Sequence, residues 1–419
     1  MQLKLYIFFF LSALSISAIA QTPRKFQGQG PIKAASTETV PVQKQWKGTF
    51  SFPGSNVFFS NNFNGGRLNG VASVNDTVYS VLITPENIPV NQSPWYAFKV
   101  WSAKAKEIII RLTYQQGRNR YVPKISKNGK DWILLKGTGA ESSGTPDSVQ
   151  AAYQFKLRIS TDTTWVAAQE LNTSAEMKAW TARQLKKPFI TSTTIGQSRL
   201  GKPLTLLKIG NPASKNRILI IGRQHPPEVT GQMALSAFLE QLTSETTLAK
   251  AFRQNFLIYV VPLMNPDGVD GGFWRHNAGG IDLNRDWYAF NQPETRAVRD
   301  FLNKELSSKE NKLWFGIDFH STHDDIYYIV DPKLKGALPG FAQNWLADLQ
   351  KRVPGYEPNI KPLYSGGPTY TEFSYLHQTY GTEALVYEIG DNTPREFIKK
   401  KGAAAADALM ELLPKAIKQ

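Results

Sequence analysis

His225 and Glu228 stand three residues apart in Arg223-Gln224-His225-Pro226-Pro227-Glu228, directly after the apolar run RILIIG. Across a tight turn, that spacing lets an imidazole and a carboxylate reach one ion. The two prolines fix φ twice and stiffen the turn, which lowers the entropy lost on binding. His320 closes a second apolar run, LWFGIDFH, where a third ligand could meet the first two; His323, three residues on, is its rival. Two His and one Glu leave a coordination position open, which is the ligand set of a hydrolytic rather than a structural zinc.

The densest polar stretch lies between these two runs. Asn265-Pro266-Asp267-Gly268-Val269 reads as turn chemistry. Trp274-Arg275 and Gly280-Ile281-Asp282-Leu283-Asn284-Arg285-Asp286-Trp287 follow it. Two guanidiniums, Arg275 and Arg285, with the amide of Asn284 make a receptor for a carboxylate and a polarised carbonyl oxygen. Glu388 sits inside the apolar run ALVYEIG. A carboxylate there is costly unless paired or functional. Beside an activated water it can take the water's proton and hand it to a leaving amine. Glu383 and Asp391 lie nearby in more polar surroundings.

The elements that must position these residues fall into two halves. From residue 46 to about 165, short runs rich in Val, Ile, Tyr, Phe and Trp (WKGTFSF, VYSVLITP, WYAFKVWS, KEIIIRLTY, DWILLKG, YQFKLRIS) alternate with Gly- and Asn-rich turns. That rhythm predicts an antiparallel β-sandwich over 46–172, with no His and no cluster of ligands. From 173 to 419, helical patterns such as SAEMKAWTARQL, GQMALSAFLEQL and PETRAVRDFLNKEL alternate with the strands RILIIG, NFLIYVVPL, LWFGIDFH and EALVYEIG. Alternation of that kind predicts an α/β domain with a mixed, mostly parallel sheet flanked by helices. In such sheets, sites form beyond the carboxyl ends of the strands, which is where the candidates fall.

Composition narrows the function further. The 419 residues contain no Cys, which excludes disulfide scaffolds, thiolate metal sites and Cys nucleophiles. Net charge is +15, but the densest basic run is residues 399–401, and no nucleic-acid-binding motif is present, so no nucleic-acid partner is expected. The start reads as an address. Lys4, an apolar stretch over 5–18 and Ala18-Ile19-Ala20 fit a signal peptide over 1–20, cleaved after Ala20. That stretch is short for a span of about 20 residues, and no other run is long enough, so no stable membrane insertion is expected. Residues 21–45 read as a polar linker. The expected location is exported, periplasmic or extracellular.

Taken together and in order, H-x-x-E, N-P-D-G, W-R, D-x-N-R, a strand-end His and a Glu in the last strand resemble the zinc carboxypeptidase family over about residues 180–395. HPPE, NPDGV, the G-x-DLNR segment and DFH sharpen this towards the cytosolic-carboxypeptidase-like branch, which also carries a β-sandwich before its catalytic domain. The resemblance implies one zinc ion per chain on His225, Glu228 and His320, with Asp282 orienting His225. It implies Glu388 as general base and then general acid toward a metal-activated water, and Arg275 on the oxyanion. Asn284 and Arg285 would clamp the substrate's terminal carboxylate. A capping tyrosine is implied as well, Tyr364 or, as a second candidate, Tyr370. HPPE departs from the branch, which usually has Gly before the Glu, and export departs from a branch named for the cytosol.

The expected activity is therefore removal of carboxy-terminal residues from peptides or proteins, with cell-wall stem peptides among the candidate substrates. A zinc deacylase or amidase on N-acyl amino acids or cell-wall peptides, and a non-catalytic binding protein, are the alternatives. Lys333, Lys335 and Lys361 fall in the stretch expected to line the terminal pocket and raise the idea of an acidic terminal residue.

Overall fold

The segment KEIIIRLTY folds as its alternation demands. It forms a strand, Lys106–Tyr114, in which Ile108, Ile110 and Leu112 are buried and the side chains between them are half-exposed. The period of two points one face into a core and the other outward. The segment NRILIIG behaves differently, because every residue from Arg217 onward is buried. A strand covered on both faces reads as a continuous apolar run.

The structure is a computed structural model that describes residues 26–28, 37, 39–135, 140–141 and 152–418. The signal expected over 1–20 and much of the linker expected over 21–45 lie outside the described residues.

The first unit holds β1 (Thr49–Phe52), β2 (Val57–Ser60), β3 (Gly70–Ser73), β4 (Val78–Ile83), β5 (Ala97–Ser102), β6 (Lys106–Tyr114), β7 (Lys124–Ser126), β8 (Ile133–Leu134), β9 (Ala140–Glu141), β10 (Ala152–Ile159) and β11 (Thr164–Ala167). They form a six-stranded sheet, β1-β2-β5-β11-β7-β8, and a five-stranded sheet, β3-β4-β6-β10-β9. Val57, Phe59, Phe98 and Val100 from the first sheet share one core with Tyr79, Val81, Ile108, Ile110, Phe155 and Leu157 from the second. Pairing is antiparallel except between β4 and β6, which run parallel. The intervening β5 belongs to the other sheet, so the chain returns to β6 in the direction of β4. Alternation in sequence carries no such information about strand direction.

The second unit holds α1 (Ser174–Gln184), β12 (Ile190–Gln197), β13 (Pro203–Gly210), β14 (Asn216–Gly222), α2 (Val229–Leu242), α3 (Thr247–Asn255), β15 (Leu257–Val261), α4 (Pro266–Gly271), α5 (Pro293–Glu305), β16 (Lys312–Thr322), β17 (Ile326–Val330), α6 (Phe341–Arg352), β18 (Ile360–Tyr364), α7 (Glu372–Tyr380), β19 (Glu383–Gly390) and α8 (Arg395–Ala416). The expected helices appear as α1, α2 and α5. The sheet order is β12-β13-β15-β14-β16-β19-β17-β18. Its centre, β15-β14-β16-β19, is parallel, while β12–β13, β13–β15 and β17–β19 are antiparallel.

The two units are not loosely tethered. Val229 and Trp274 of the second unit are buried in the core of the first. Arg120, from the loop after β6, pairs with Asp391 just beyond β19 at 2.7 Å, both side chains buried, and also donates to the Ser321 carbonyl at 3.2 Å. Arg395 pairs with Glu170 at 2.8 Å. No helix among the described residues is long and apolar enough to cross a membrane.

Candidate metal centre and active site

Three elements deliver the metal donors. His225 lies in the turn after β14, Glu228 is the last residue before α2, and His320 is near the carboxyl end of β16. Glu228 sits where the helix's unpaired amides favour a negative charge. Helix α2 lies so close to β16 that a Cβ on Gly231 would meet the His320 carbonyl oxygen at 2.5 Å. Only glycine allows that approach.

The donor atoms converge. His225 Nδ1 is 2.8 Å from Glu228 Oε1, His320 Nδ1 is 2.6 Å from Glu228 Oε2, and the two Nδ1 atoms are 3.1 Å apart. All three residues are buried, and one ligand atom from each lies within 4.8 Å of the others. A tetrahedral zinc with bonds of about 2.0–2.1 Å sets its ligands about 3.3 Å apart, so an ion fits once the rings part by less than about 1 Å. Burial works against ionising Glu228, but His225 and His320 outweigh it and hold the carboxyl well below the usual range.

The outward ring nitrogens support the same geometry. His225 Nε2 meets Asp282 Oδ1 at 3.0 Å, and His320 Nε2 meets Asp318 Oδ2 at 2.5 Å. A carboxylate at Nε2 keeps the ring proton there and leaves the Nδ1 lone pair for a cation. Asp282 was expected beside His225. Asp318 was not singled out, although it stands in the DFH segment two residues before His320. On a strand, residues two apart share a face, and that was the available signal. Asp318 Oδ2 is itself held by Gln224 Nε2 at 2.6 Å. Behind it, Glu372 is buried with neither carboxylate oxygen hydrogen-bonded, and burial, then the charge of Asp318, pushes its pKa well up.

Glu388 stands opposite His320 in the β16–β19 register. Burial, then the nearby charge of Glu228, raises its pKa well above the carboxylate range, and its Oε2 has no hydrogen-bond partner. Arg275 is buried and donates from Nε to Asp282 Oδ2 at 2.6 Å. One aspartate thus ties the arginine to a metal-donor histidine.

The proposed clamp residues follow in a short 3₁₀ turn, Leu283–Arg285. Asn284 faces inward, with Nδ2 3.4 Å from His320 Nε2 and Oδ1 accepting from the Glu372 amide at 3.0 Å. Arg285 donates to the Asn284 carbonyl at 2.7 Å. Among the described residues, no carboxylate pairs with Arg285.

The tyrosines divide. Tyr364 is buried, packed edge-on to Phe373 and His377. Tyr370 is 46% exposed and packs edge-on to Tyr288, beside the clamp segment, where its carbonyl accepts from the Trp287 amide at 3.1 Å. Tyr328 on β17, which sequence reasoning passed over, is half-buried. Its hydroxyl is pushed up to about 12, by burial first and then by Glu388, with Arg285 opposing. His323 is outside the donor group and packs edge-on to Phe26. Lys333 and Lys335 are exposed, and Lys361 donates to the Gln27 carbonyl at 2.7 Å.

The chain is similar to known proteins in sequence and in fold. An uncharacterised protein of Zymomonas mobilis is 27% identical over 252 residues, which cover 58% of this chain and 63% of that one. Cytosolic carboxypeptidase 6 of Mus musculus is 25% identical over 282 residues, which cover 62% of this chain and 52% of that one. The chain therefore spans about half to two thirds of the length of these relatives. In three dimensions it is similar to a metallo-carboxypeptidase from Burkholderia cenocepacia, with a TM-score of 0.69 at 20% identity, covering 86% of this chain and 99% of that one. That likeness takes in most of both units. Residues 173–410 match the zinc carboxypeptidase family, peptidase M14, and the chain belongs to that family.

Proposed function

We propose that the protein is a zinc metallocarboxypeptidase that hydrolyses the last peptide bond of peptides or proteins. The observation that carries this reading is the convergence of His225, Glu228 and His320 on one point, with Glu388 beside His320 across the strand pair. Zinc, when bound there, supplies Lewis acidity that activates water and polarises the scissile carbonyl.

The chain's own residues do the rest. Glu388 takes a proton from the attacking water and delivers it to the leaving amine, a task suited to a carboxyl whose pKa lies above the ordinary range. Arg275 offsets the negative charge that develops on the carbonyl oxygen. Arg285, free of any carboxylate partner among the described residues, holds the substrate's terminal carboxylate, with Asn284 as the rigid support of that turn. A carboxylate receptor beside the base selects chain ends over internal bonds.

The core shared by the two N-terminal sheets supports reading that unit as a β-sandwich over 46–172, with the catalytic domain beginning at 173. The leader-like residues 1–20 support export, which places peptides outside the cytoplasm, cell-wall stem peptides included, within reach of the enzyme. Fractionation of cells followed by amino-terminal sequencing tests it, and a start at Gln21 is expected.

The main test measures metal by mass spectrometry on the purified protein, then offers peptides with varied termini, amidated controls and an N-acyl amino acid. One zinc per chain and stepwise release of single terminal residues, lost in Glu388→Gln, is the expected result. Zinc with cleavage of the N-acyl compound alone would make it a deacylase. Failure to bind zinc when supplied would leave a binding protein.

A further inference from the structure

Among the described residues, the first unit contributes no metal donor, yet it reaches the site. Glu86 lies in the loop between β4 and β5 and is fully buried. Its carboxylate accepts three consecutive backbone amides of the second unit. Trp274 N donates to Oε2 at 2.7 Å, Arg275 N to Oε1 at 2.9 Å and His276 N to Oε1 at 2.7 Å. The neighbouring Asn87 holds the same segment from the side, with Oδ1 2.6 Å from His276 Nδ1 and Nδ2 donating to the Gly280 carbonyl at 3.0 Å. Arg67, also buried and from the first unit, donates to the Gly272 carbonyl at 3.3 Å.

Three successive amides aimed at one carboxylate form an anion-binding nest filled by a side chain from another unit. Hydrogen bonds to a charged acceptor are about twice as strong as neutral ones, and they fix the backbone that makes them. The backbone fixed here belongs to Arg275, whose guanidinium is held at its far end by Asp282. Both ends of the residue are therefore set before substrate arrives, which is what stabilisation of a developing charge requires.

We propose that Glu86 is a positioning residue for the reaction: it holds the Trp274–Arg275–His276 backbone so that Arg275 meets the carbonyl oxygen in the transition state. The inference rests on the carboxypeptidase reading and on the oxyanion role given to Arg275. It makes the first unit part of the catalytic apparatus rather than an appendage.

The test is a double-mutant cycle on the full protein, with kcat and KM measured for wild type, Glu86→Gln, Arg275→Gln and the pair. Glu86→Gln keeps the shape but removes one acceptor oxygen and the charge. It is expected to lower kcat about tenfold or more with KM nearly unchanged, because only transition-state contacts are lost. In the Arg275→Gln background it should have almost no further effect on kcat. Glu86→Asp, a gentler change should the Gln variant fold poorly, is expected to fall between. Arg395→Gln cuts a different link between the units and should leave kcat within about twofold.

Hydrogen exchange gives a readout apart from activity. The amides of 274–276 should lose protection in Glu86→Gln and Glu86→Asp while zinc content stays at one per chain. Full additivity of the two kcat effects, or unchanged protection at those amides, would overturn the proposal. A wild-type kcat untouched by Arg275→Gln would sink the oxyanion role and this inference with it. A wild-type protein that binds zinc but releases no terminal residue would sink the carboxypeptidase reading instead, with the exchange result still judging the nest.

Discussion

At the metal donors every imidazole nitrogen has a partner, whereas at the proposed clamp Arg285 meets no carboxylate among the described residues and Tyr288 and Tyr370 stand 67% and 46% exposed. The floor of the site is a connected network, although Asp318 Oδ1 and Glu388 Oε2 have no hydrogen-bond partner. Gln224 holds Asp318, Asp318 holds His320, Asp282 holds His225 and Arg275, and Trp287 donates back to Gln224 at 2.9 Å. The rim is open and aromatic. A connected polar network fixes atoms for chemistry common to any substrate, and an open rim leaves room for selection among substrates. Substitutions on the floor should therefore act on kcat and metal, and substitutions on the rim on KM and preference.

The largest effect belongs to Glu388. Replacing it with Gln should cut kcat by about 10²–10⁴ and leave zinc bound. The pH dependence follows from the direction of its shift. The carboxylate acts only when ionised, and burial with Glu228 nearby raises its pKa, so activity should fall as pH drops through that raised value. A bound cation pulls the value down again, so the acid limb should lie lower in the zinc form than the metal-free charges imply. A kcat/KM profile measures the limb, and its persistence in Glu388→Gln would assign it to another group.

Asp318 comes next. Asp318→Asn leaves His320 Nε2 without a carboxylate, and zinc affinity should weaken about 10–100-fold. Competition with a chelator of known strength reads this out. Asp282→Asn should weaken zinc in the same way and lower kcat as well, because Asp282 also holds Arg275. Equal kcat effects of the two variants at saturating zinc would break the distinction between the two aspartates.

How much of this was legible in the sequence follows from the same contrast. The convergence of His225, Glu228 and His320 was readable because residue type and local spacing already restrict what they can do. Glu388 stood out as a carboxylate in an apolar strand, and Asp282 was marked only by the family resemblance. Asp318 was hidden inside an apolar strand, where only its phase relative to His320 marked it. Glu86 was hidden more deeply, since its partner Arg275 is 189 residues away and nothing local to Glu86 announces an anion nest. The parallel β4–β6 pair was hidden because alternation fixes faces and not directions. The tyrosines were hidden because packing alone decides that Tyr364 turns inward against Phe373 and His377 while Tyr370 turns out.

On the rim, Arg285→Ala should raise KM for peptides with a free terminus by about 10–100-fold, the worth of a charge-assisted pair. Amidated peptides, already poor substrates, should be nearly unaffected. A ratio of free to amidated cleavage that survives the substitution would remove Arg285 from the clamp.

The smallest expected effects would separate the tyrosines. Tyr328 lies where Glu388 and Arg285 both influence its hydroxyl, so Tyr328→Phe removes a polar group that feels both charges. One hydrogen bond to a charged substrate group is worth about 1.5–3 kcal/mol in full, and less where water replaces it, so a roughly three- to thirtyfold rise in KM is expected. Tyr370→Phe keeps the ring beside Tyr288 and should change KM less than about twofold, while Tyr370→Ala removes the edge-on contact and should alter preference among penultimate or terminal side chains. Tyr364→Phe keeps the buried ring against Phe373 and His377 and should leave kinetics near wild type. If Tyr364→Phe instead raised KM more than Tyr328→Phe did, the buried tyrosine must swing out to meet substrate, and the rim would be mobile where the floor is fixed.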